Sequence, residues 1–271
     1  MFFQKARKSN IESGTSMAAE RRLILSSNSD FFLREAYKTL RTNTMFSLAG
    51  CEGCKTVLVT SSFQSEGKSI TSLNLAISFA EAENRVVLID CDLRRPKLAR
   101  LLKKGSRAGL SNLLLDPTLL DKAIIPSGID RLDVILAGNI PPNPSELLGS
   151  ARMAALLAQL RERYDYVILD TPPVNMVTDA VVLASQCDGV LFAVRAGQSE
   201  RGSVIHAIRQ LEYAQVKILG FALCDVTGGG GGSGYRYRYK RYGYGYGYGY
   251  GYGYSSRTKS PDDASGEDAL S

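Results

Sequence analysis

Gly67-Lys68-Ser69 closes the stretch SSFQSEGKS at residues 61–69, and a glycine, an amine and a hydroxyl in that order are suited to holding a polyphosphate. Lysine can bridge the β- and γ-phosphates, and the Ser69 hydroxyl can ligate Mg²⁺. The backbone N–H groups of residues 65–69 would then point at the β-phosphate from the start of a helix, where unpaired donors and the helix dipole both favour anions. The candidate nucleotide-binding set is Ser65, Glu66, Gly67, Lys68, Ser69 and Ile70. The motif departs from G-x-x-x-x-G-K-[ST] at its first position, where Ser62 replaces glycine. The alternative is a turn that merely contains GKS. An apolar strand before it, a helical run after it and two downstream strands that end in acids argue against that alternative.

Those acids are Asp90 and Asp92 in VVLIDCDLRRP and Asp170 in YDYVILDTPPV. Two residues apart at a strand end, Asp90 and Asp92 would point to one side, toward the sheet edge where the phosphate loop opens. Asp170 ends an apolar strand as a Walker B aspartate does. Three carboxylates and a hydroxyl suit a hard cation that keeps several waters. For one of the paired aspartates the alternative is a helix cap, or a partner for Arg94 or Arg95. His206 is the one histidine of the chain and has no cysteine or histidine partner, which removes Ser-His and Cys-His catalysis. Cys51 and Cys54 form a C-x-x-C without a second pair at zinc-site spacing.

The elements that must position these groups alternate. Short apolar runs at 57–60, 86–89, 132–136, 166–169, 189–194 and 218–223 are apolar at almost every position, as strands buried on both faces require. An amphipathic run through Ala82 follows the phosphate loop. A further helix is predicted over 30–46, capped by Asp30 and turning Phe32, Leu33, Ala36, Leu40 and Met45 toward the body. These patterns predict a three-layer α/β/α sandwich with a mostly parallel sheet and a P-loop NTPase fold. Residues 1–28 read as a flexible basic arm, 29–225 as the globular domain and 226–271 as a disordered tail.

That tail holds ten of the chain's fourteen tyrosines: Tyr235, Tyr237, Tyr239, Tyr242, Tyr244, Tyr246, Tyr248, Tyr250, Tyr252 and Tyr254. From Tyr242 on, every second residue is glycine, which loses most backbone entropy on ordering and offers nothing to pack. The tyrosines are therefore expected to be presented rather than buried. The net charge of +6 concentrates at the ends, in Lys5, Arg7, Lys8, Arg21 and Arg22 and again in Arg236, Arg238, Lys240 and Arg241. Within the tyrosine cluster the arginines stop at Arg241 and leave Tyr242 to Tyr254 uncharged, so nucleic acid is not an expected partner. An odd set of five cysteines suggests a reducing compartment. No apolar run approaches the ~20 residues that span a bilayer, and no signal-peptide pattern is present, so a cytoplasmic location is expected.

LIDCDLRRP, ILDTPP, AGNIPPNPSELLGS at 137–150 and EAYKTLRTN at 35–43, with the tyrosine cluster, resemble the bacterial tyrosine kinases of capsule and exopolysaccharide synthesis in their soluble form. The resemblance covers about residues 30–225 plus the tail. It implies an ATP- and Mg²⁺-dependent autokinase that phosphorylates the tail cluster in trans. Asp90 would be the base or orienter of the phenol, Lys68 would stabilise the transferring group, and Ser69, Asp92 and Asp170 would organise Mg²⁺. Glu35, Lys38 and Arg41 occupy the E-x-x-R-x-x-R positions implied in ring assembly, with lysine where the family has arginine. Cys224 stands where many relatives carry an asparagine expected to read the base. The resemblance also implies a transmembrane adaptor of the polysaccharide co-polymerase type that recruits the chain to the inner membrane face, and an opposing protein-tyrosine phosphatase. A deviant P-loop ATPase switch for division or partition is the alternative, but such proteins carry a signature lysine early in the loop, and this loop has only Lys68.

Overall fold

The computed structural model describes residues 17–105 and 108–225; the tyrosine cluster and the rest of the tail lie outside them. The strands are β1 (Lys55–Ser61), β2 (Val86–Asp90), β3 (Ile124–Ile129), β4 (Leu132–Ile135), β5 (Tyr166–Asp170), β6 (Gly189–Arg195) and β7 (Ile218–Cys224). The helices are α1 (Met17–Arg21), α2 (Phe31–Ser47), α3 (Lys68–Ala80), α4 (Leu98–Leu102), α5 (Leu110–Leu115), α6 (Leu120–Ala123), α7 (Pro144–Leu148), α8 (Ala151–Arg163), α9 (Asp179–Ala184) and α10 (Arg201–Tyr213). One seven-stranded sheet runs β3-β4-β2-β5-β1-β6-β7, parallel except for the β3–β4 pair.

Alternation along β1 shows why the sheet is covered twice. Val57 and Val59 enter one apolar cluster with α3 and α4, while Leu58 enters the other with α5, α8, α9 and α10. Side chains of a strand alternate between faces, so an all-apolar strand needs a helical layer on each side. The predicted α/β/α sandwich is the observed one. All six predicted strands are present, and β3 is an addition. Its IIPSGI sequence has no alternation and contains Pro126, which an edge strand tolerates because one side of its ladder is empty.

Three helical expectations change. Asp30 does cap α2, accepting the Phe32 N–H at 2.9 Å. The inward face, however, is Leu33, Tyr37, Leu40 and Thr44. Phe32, Ala36 and Met45 face outward, Phe32 being 76 % exposed. The heptad-like spacing of the inward set matches a 3.6-residue turn, which the outward residues break. The run after the phosphate loop ends at Ala80 and is buried on nearly every side, because α2 covers the flank of α3 that the sheet does not. Residues 17–28, expected within a flexible arm, pack on the body instead. Leu25 is buried and its N–H donates to Asn74 Oδ1 at 2.8 Å, while Asn74 Nδ2 donates to the Leu23 carbonyl.

Candidate active site

β1 occupies the sheet interior between β5 and β6, so the loop leaving its C-terminal end opens over the middle of that edge. Gly67 caps α3 with φ +95°, and a Cβ built on it would lie 2.9 Å from Cys224 Sγ. Both the left-handed backbone and the close approach of β7 require glycine there. Lys68 and Ser69 then open α3, whose first turn carries N–H groups without intrahelical partners. Ser62, the residue in place of the first glycine, is fully buried and its hydroxyl donates to both Glu66 carboxylate oxygens at 2.8 and 2.9 Å. The Phe63 N–H donates to the same carboxylate at 2.8 Å. The Glu66 side chain thus braces the loop from inside, leaving only its backbone to face a ligand.

β2 and β5 are in register, with Asp90 opposite Asp170 at their C-terminal ends. Asp92 lies two residues past β2, and its Oδ2 accepts from Lys68 Nζ at 3.2 Å. All four groups are buried. Burial alone would lower the Lys68 pKa, but Asp170, Asp92 and Asp90 together outweigh it and raise that pKa. Burial, then the Asp170 charge, pushes Asp90 well above the usual carboxylate range. Asp170 is also raised, chiefly by burial and against the opposing pull of Lys68. Three carboxylates around one ammonium leave an excess of negative charge in a dry place, which costs free energy until a cation arrives.

Asp90 Oδ1 and Asp170 Oδ2 are buried without a hydrogen-bond partner. The other oxygen of Asp90 accepts the Leu98 N–H at 3.0 Å, and Asp92 Oδ1 accepts the Arg95 N–H at 2.9 Å. Asp90 thus bonds the N–H that opens α4, while Asp92 closes a turn with Arg95 outside any helix, and one oxygen of each is left for other contacts. Asp170 Oδ1 accepts from Ser72 Oγ at 3.3 Å, and the Ser69 hydroxyl also bonds this carboxylate. The bare Asp170 oxygen beside a serine hydroxyl fits a Mg²⁺ ion. Among the described residues no cluster of three or more His, Cys, Asp or Glu side chains forms a cage by itself. Mg²⁺ does not need one, since it takes one or two carboxylates together with waters and substrate phosphates.

The structure gives Arg94 a carboxylate partner that pattern reading did not name. Arg94 Nε and Nη2 donate to the two oxygens of the fully buried Asp179 at 2.9 and 3.0 Å, and Ser145 Oγ donates to that carboxylate as well. This network ties the LRRP stretch to α7 and α9, and a buried acid nine residues after Asp170 was its only sequence signal. Arg95 instead reaches Gln64 Oε1 at 3.0 Å. The three residues of the helix motif lie apart from the site. Lys38 pairs with Glu35 at 2.7 Å on the surface of α2, and Arg41 Nη1 donates to the Ser78 carbonyl near the end of α3. Cys224 Sγ lies 3.4 Å from Thr71 Oγ1. His206 faces Asn175 and Gln210, a structural contact, and all five cysteines are free.

Residues 56–218 match the AAA domain family. Over 191 residues the chain is 36 % identical to the putative tyrosine-protein kinase CapB of Staphylococcus aureus, covering 70 % of this chain and 83 % of CapB. The chain belongs to the bacterial tyrosine-protein kinases. Among solved structures, the chimerical protein CapA2B2 superposes with a TM-score of 0.70 at 34 % identity, over 74 % of this chain and 88 % of the chimera. The kinase domain of Escherichia coli tyrosine kinase ETK gives a TM-score of 0.68 at 36 % identity, over 70 % of this chain and 74 % of that domain. As a P-loop member of this family the chain is a nucleotide-binding kinase, which sets aside the division or partition switch.

Proposed function

We propose that the chain transfers the γ-phosphoryl group of ATP to tyrosines 235–254 of a neighbouring copy. The observation that carries this reading is the buried Lys68 at the mouth of the phosphate loop, facing Asp90, Asp92 and Asp170, with two carboxylate oxygens unpaired. Bound Mg²⁺, held by Ser69 and Asp170 with Asp92 beside it, would neutralise charge on the phosphates. Lys68 exchanges Asp92 for the β- and γ-phosphates and stabilises charge on the transferring group. A phenolic oxygen bonds to the γ-phosphorus as the bond to the bridging oxygen breaks and ADP leaves. Asp90 takes or orients the phenolic proton; its raised proton affinity narrows the gap to a phenol of pKa ~10.

The wider assignment rests on the family resemblance. The kinase works as a ring that uses Glu35, Lys38 and Arg41, is recruited to the inner membrane face by a transmembrane adaptor of the polysaccharide co-polymerase type, and is reversed by a protein-tyrosine phosphatase. Among the described residues no helix is long and apolar enough to cross a membrane, which is compatible with a separate adaptor. A mixing experiment tests transfer between copies. Full-length Lys68→Met protein is incubated with a chain truncated after residue 225 and Mg-ATP, and phosphotyrosine is mapped by mass spectrometry. Phosphate on residues 235–254 of the Lys68→Met chain is expected; its absence, with wild-type chain phosphorylated in parallel, would rule out transfer in trans.

A further inference from the structure

The phosphate loop is held from one side by residues outside the motif. Arg195, the last residue of β6, donates from Nη1 to the Ser65 carbonyl at 2.9 Å and from Nε and Nη2 to Asp225 Oδ2 at 3.1 and 2.8 Å. Its backbone N–H donates to Ser199 Oγ at 2.8 Å, and the Ser199 hydroxyl donates in turn to Glu66 Oε1. Glu66 is only 2 % exposed. Two consecutive loop residues are therefore gripped from the β6–α10 connection, one by its carbonyl and one by its carboxylate.

The grip has a reason. Ser65 has φ +65°, a left-handed conformation that costs a non-glycine residue about 1–2 kcal/mol and persists only where the surroundings over-determine it. In the usual motif an early glycine eases the tight turn; here Ser62 stands in its place. Its hydroxyl is spent on Glu66, so the turn depends on side-chain contacts. The Glu66 N–H shares a peptide plane with the Ser65 carbonyl, so holding that carbonyl fixes the direction of this loop N–H, while the held Glu66 carboxylate anchors the residue that carries it.

We propose that Arg195 is a positioning residue for phosphoryl transfer: with Ser199 and Glu66 it presets the 62–67 turn so that the loop amides converge on the β-phosphate before nucleotide arrives. Asp225 holds the far side of the guanidinium and sets its orientation. The proposal rests on nucleotide binding by this loop. A preset loop raises affinity by removing the ordering cost of binding, and it acts on ADP and ATP alike, since both present a β-phosphate.

The test uses the full chain and its Arg195→Ala, Arg195→Lys, Ser199→Ala and Asp225→Asn variants. MgADP affinity is measured by calorimetry, and the melting temperature is measured without nucleotide. Arg195→Ala is expected to weaken MgADP about tenfold, to raise KM for MgATP by the same factor with kcat nearly kept, and to leave the nucleotide-free melting temperature unchanged. Arg195→Lys should recover part of the affinity, because an ammonium still reaches the Ser65 carbonyl but cannot fork to Asp225. Ser199→Ala and Asp225→Asn should fall between wild type and Arg195→Ala. MgADP affinity of Arg195→Ala within about twofold of wild type would overturn the proposal, as would a loss of affinity matched by a lower nucleotide-free melting temperature. A wild-type chain that fails to bind MgADP would overturn the nucleotide reading and this proposal together.

Discussion

Lys68 is the buried cation that faces Asp90, Asp92 and Asp170, so its removal has two separable effects. Lys68→Met should abolish tyrosine phosphorylation, a fall of roughly a thousandfold or more for loss of a charge-stabilising group. It should also leave Asp90, Asp92 and Asp170 without their buried counter-charge and lower the melting temperature of the nucleotide-free chain. Retained phosphorylation in a chain purified away from wild type would contradict the role of Lys68. The same acids set a pH dependence. Asp90 and Asp170 hold protons more tightly in the folded chain than the ordinary carboxylate pKa of about 4. Above that value the folded state binds more protons than the unfolded one, so their contribution to stability falls as pH rises. Mg²⁺, held by Ser69 and Asp170, requires Asp170 ionised and competes with its proton. The melting-temperature gain of ADP plus Mg²⁺ over ADP alone should therefore be larger at pH 8 than at pH 6; equal gains would show that Asp170 does not meet the ion.

At the scale of elements, the site depends on how α7, α9 and the 91–97 connection are tied together, and Arg94 is the knot. Its side chain is 40 % exposed while Asp179 is fully buried, so Arg94→Ala strands an acid that water reaches poorly. A loss of about 2 kcal/mol is expected, below the 3–5 kcal/mol of a wholly buried pair because the arginine side is wet; urea denaturation measures it. Ser145→Ala should cost less, since Arg94 remains. How much of this was legible follows from the physics of each element. Strands apolar on both faces announce themselves, as does a glycine-lysine-serine turn between strand and helix. β3 was not legible because a proline-bearing edge strand has neither alternation nor a continuous apolar run. The inward face of α2 was misread because Phe32 and Met45 are apolar yet outward, and apolarity alone does not say which side a helix buries. The Arg94–Asp179 and Arg195–Asp225 pairs join residues 85 and 30 positions apart, and no local spacing encodes such contacts. The phosphate loop and its three acids lie together because strand ends on one sheet edge place them by topology, a placement that strand order alone implies.

For the molecule as a whole, the decisive arithmetic is in the tail. Arg236, Arg238, Lys240 and Arg241 supply four positive charges beside ten tyrosines. Each phosphate adds about −1.5 to −2 charges at neutral pH, so three or four of them reverse the sign of the segment whichever tyrosines carry them. The alternation of tyrosine and glycine makes the sites near-equivalent, which favours control by number over control by one fixed residue. If copies associate through α2 and exchange tails, the exchange is most favourable while the tail is cationic, because the site it enters is lined by Asp90, Asp92 and Asp170. Accumulated phosphate then repels the tail from those acids and from the phosphates of bound nucleotide. Light scattering of the Mg-ATP-treated full chain should show the oligomer mass falling as phosphates per chain pass about three, with the unphosphorylated mass restored by a tyrosine phosphatase. Replacing Arg236, Arg238, Lys240 and Arg241 by glutamine should weaken the unphosphorylated oligomer in the same direction, and the effect should shrink as salt is raised past the Debye screening range. An oligomer mass indifferent to phosphate count would leave the tail as a substrate without a switching role.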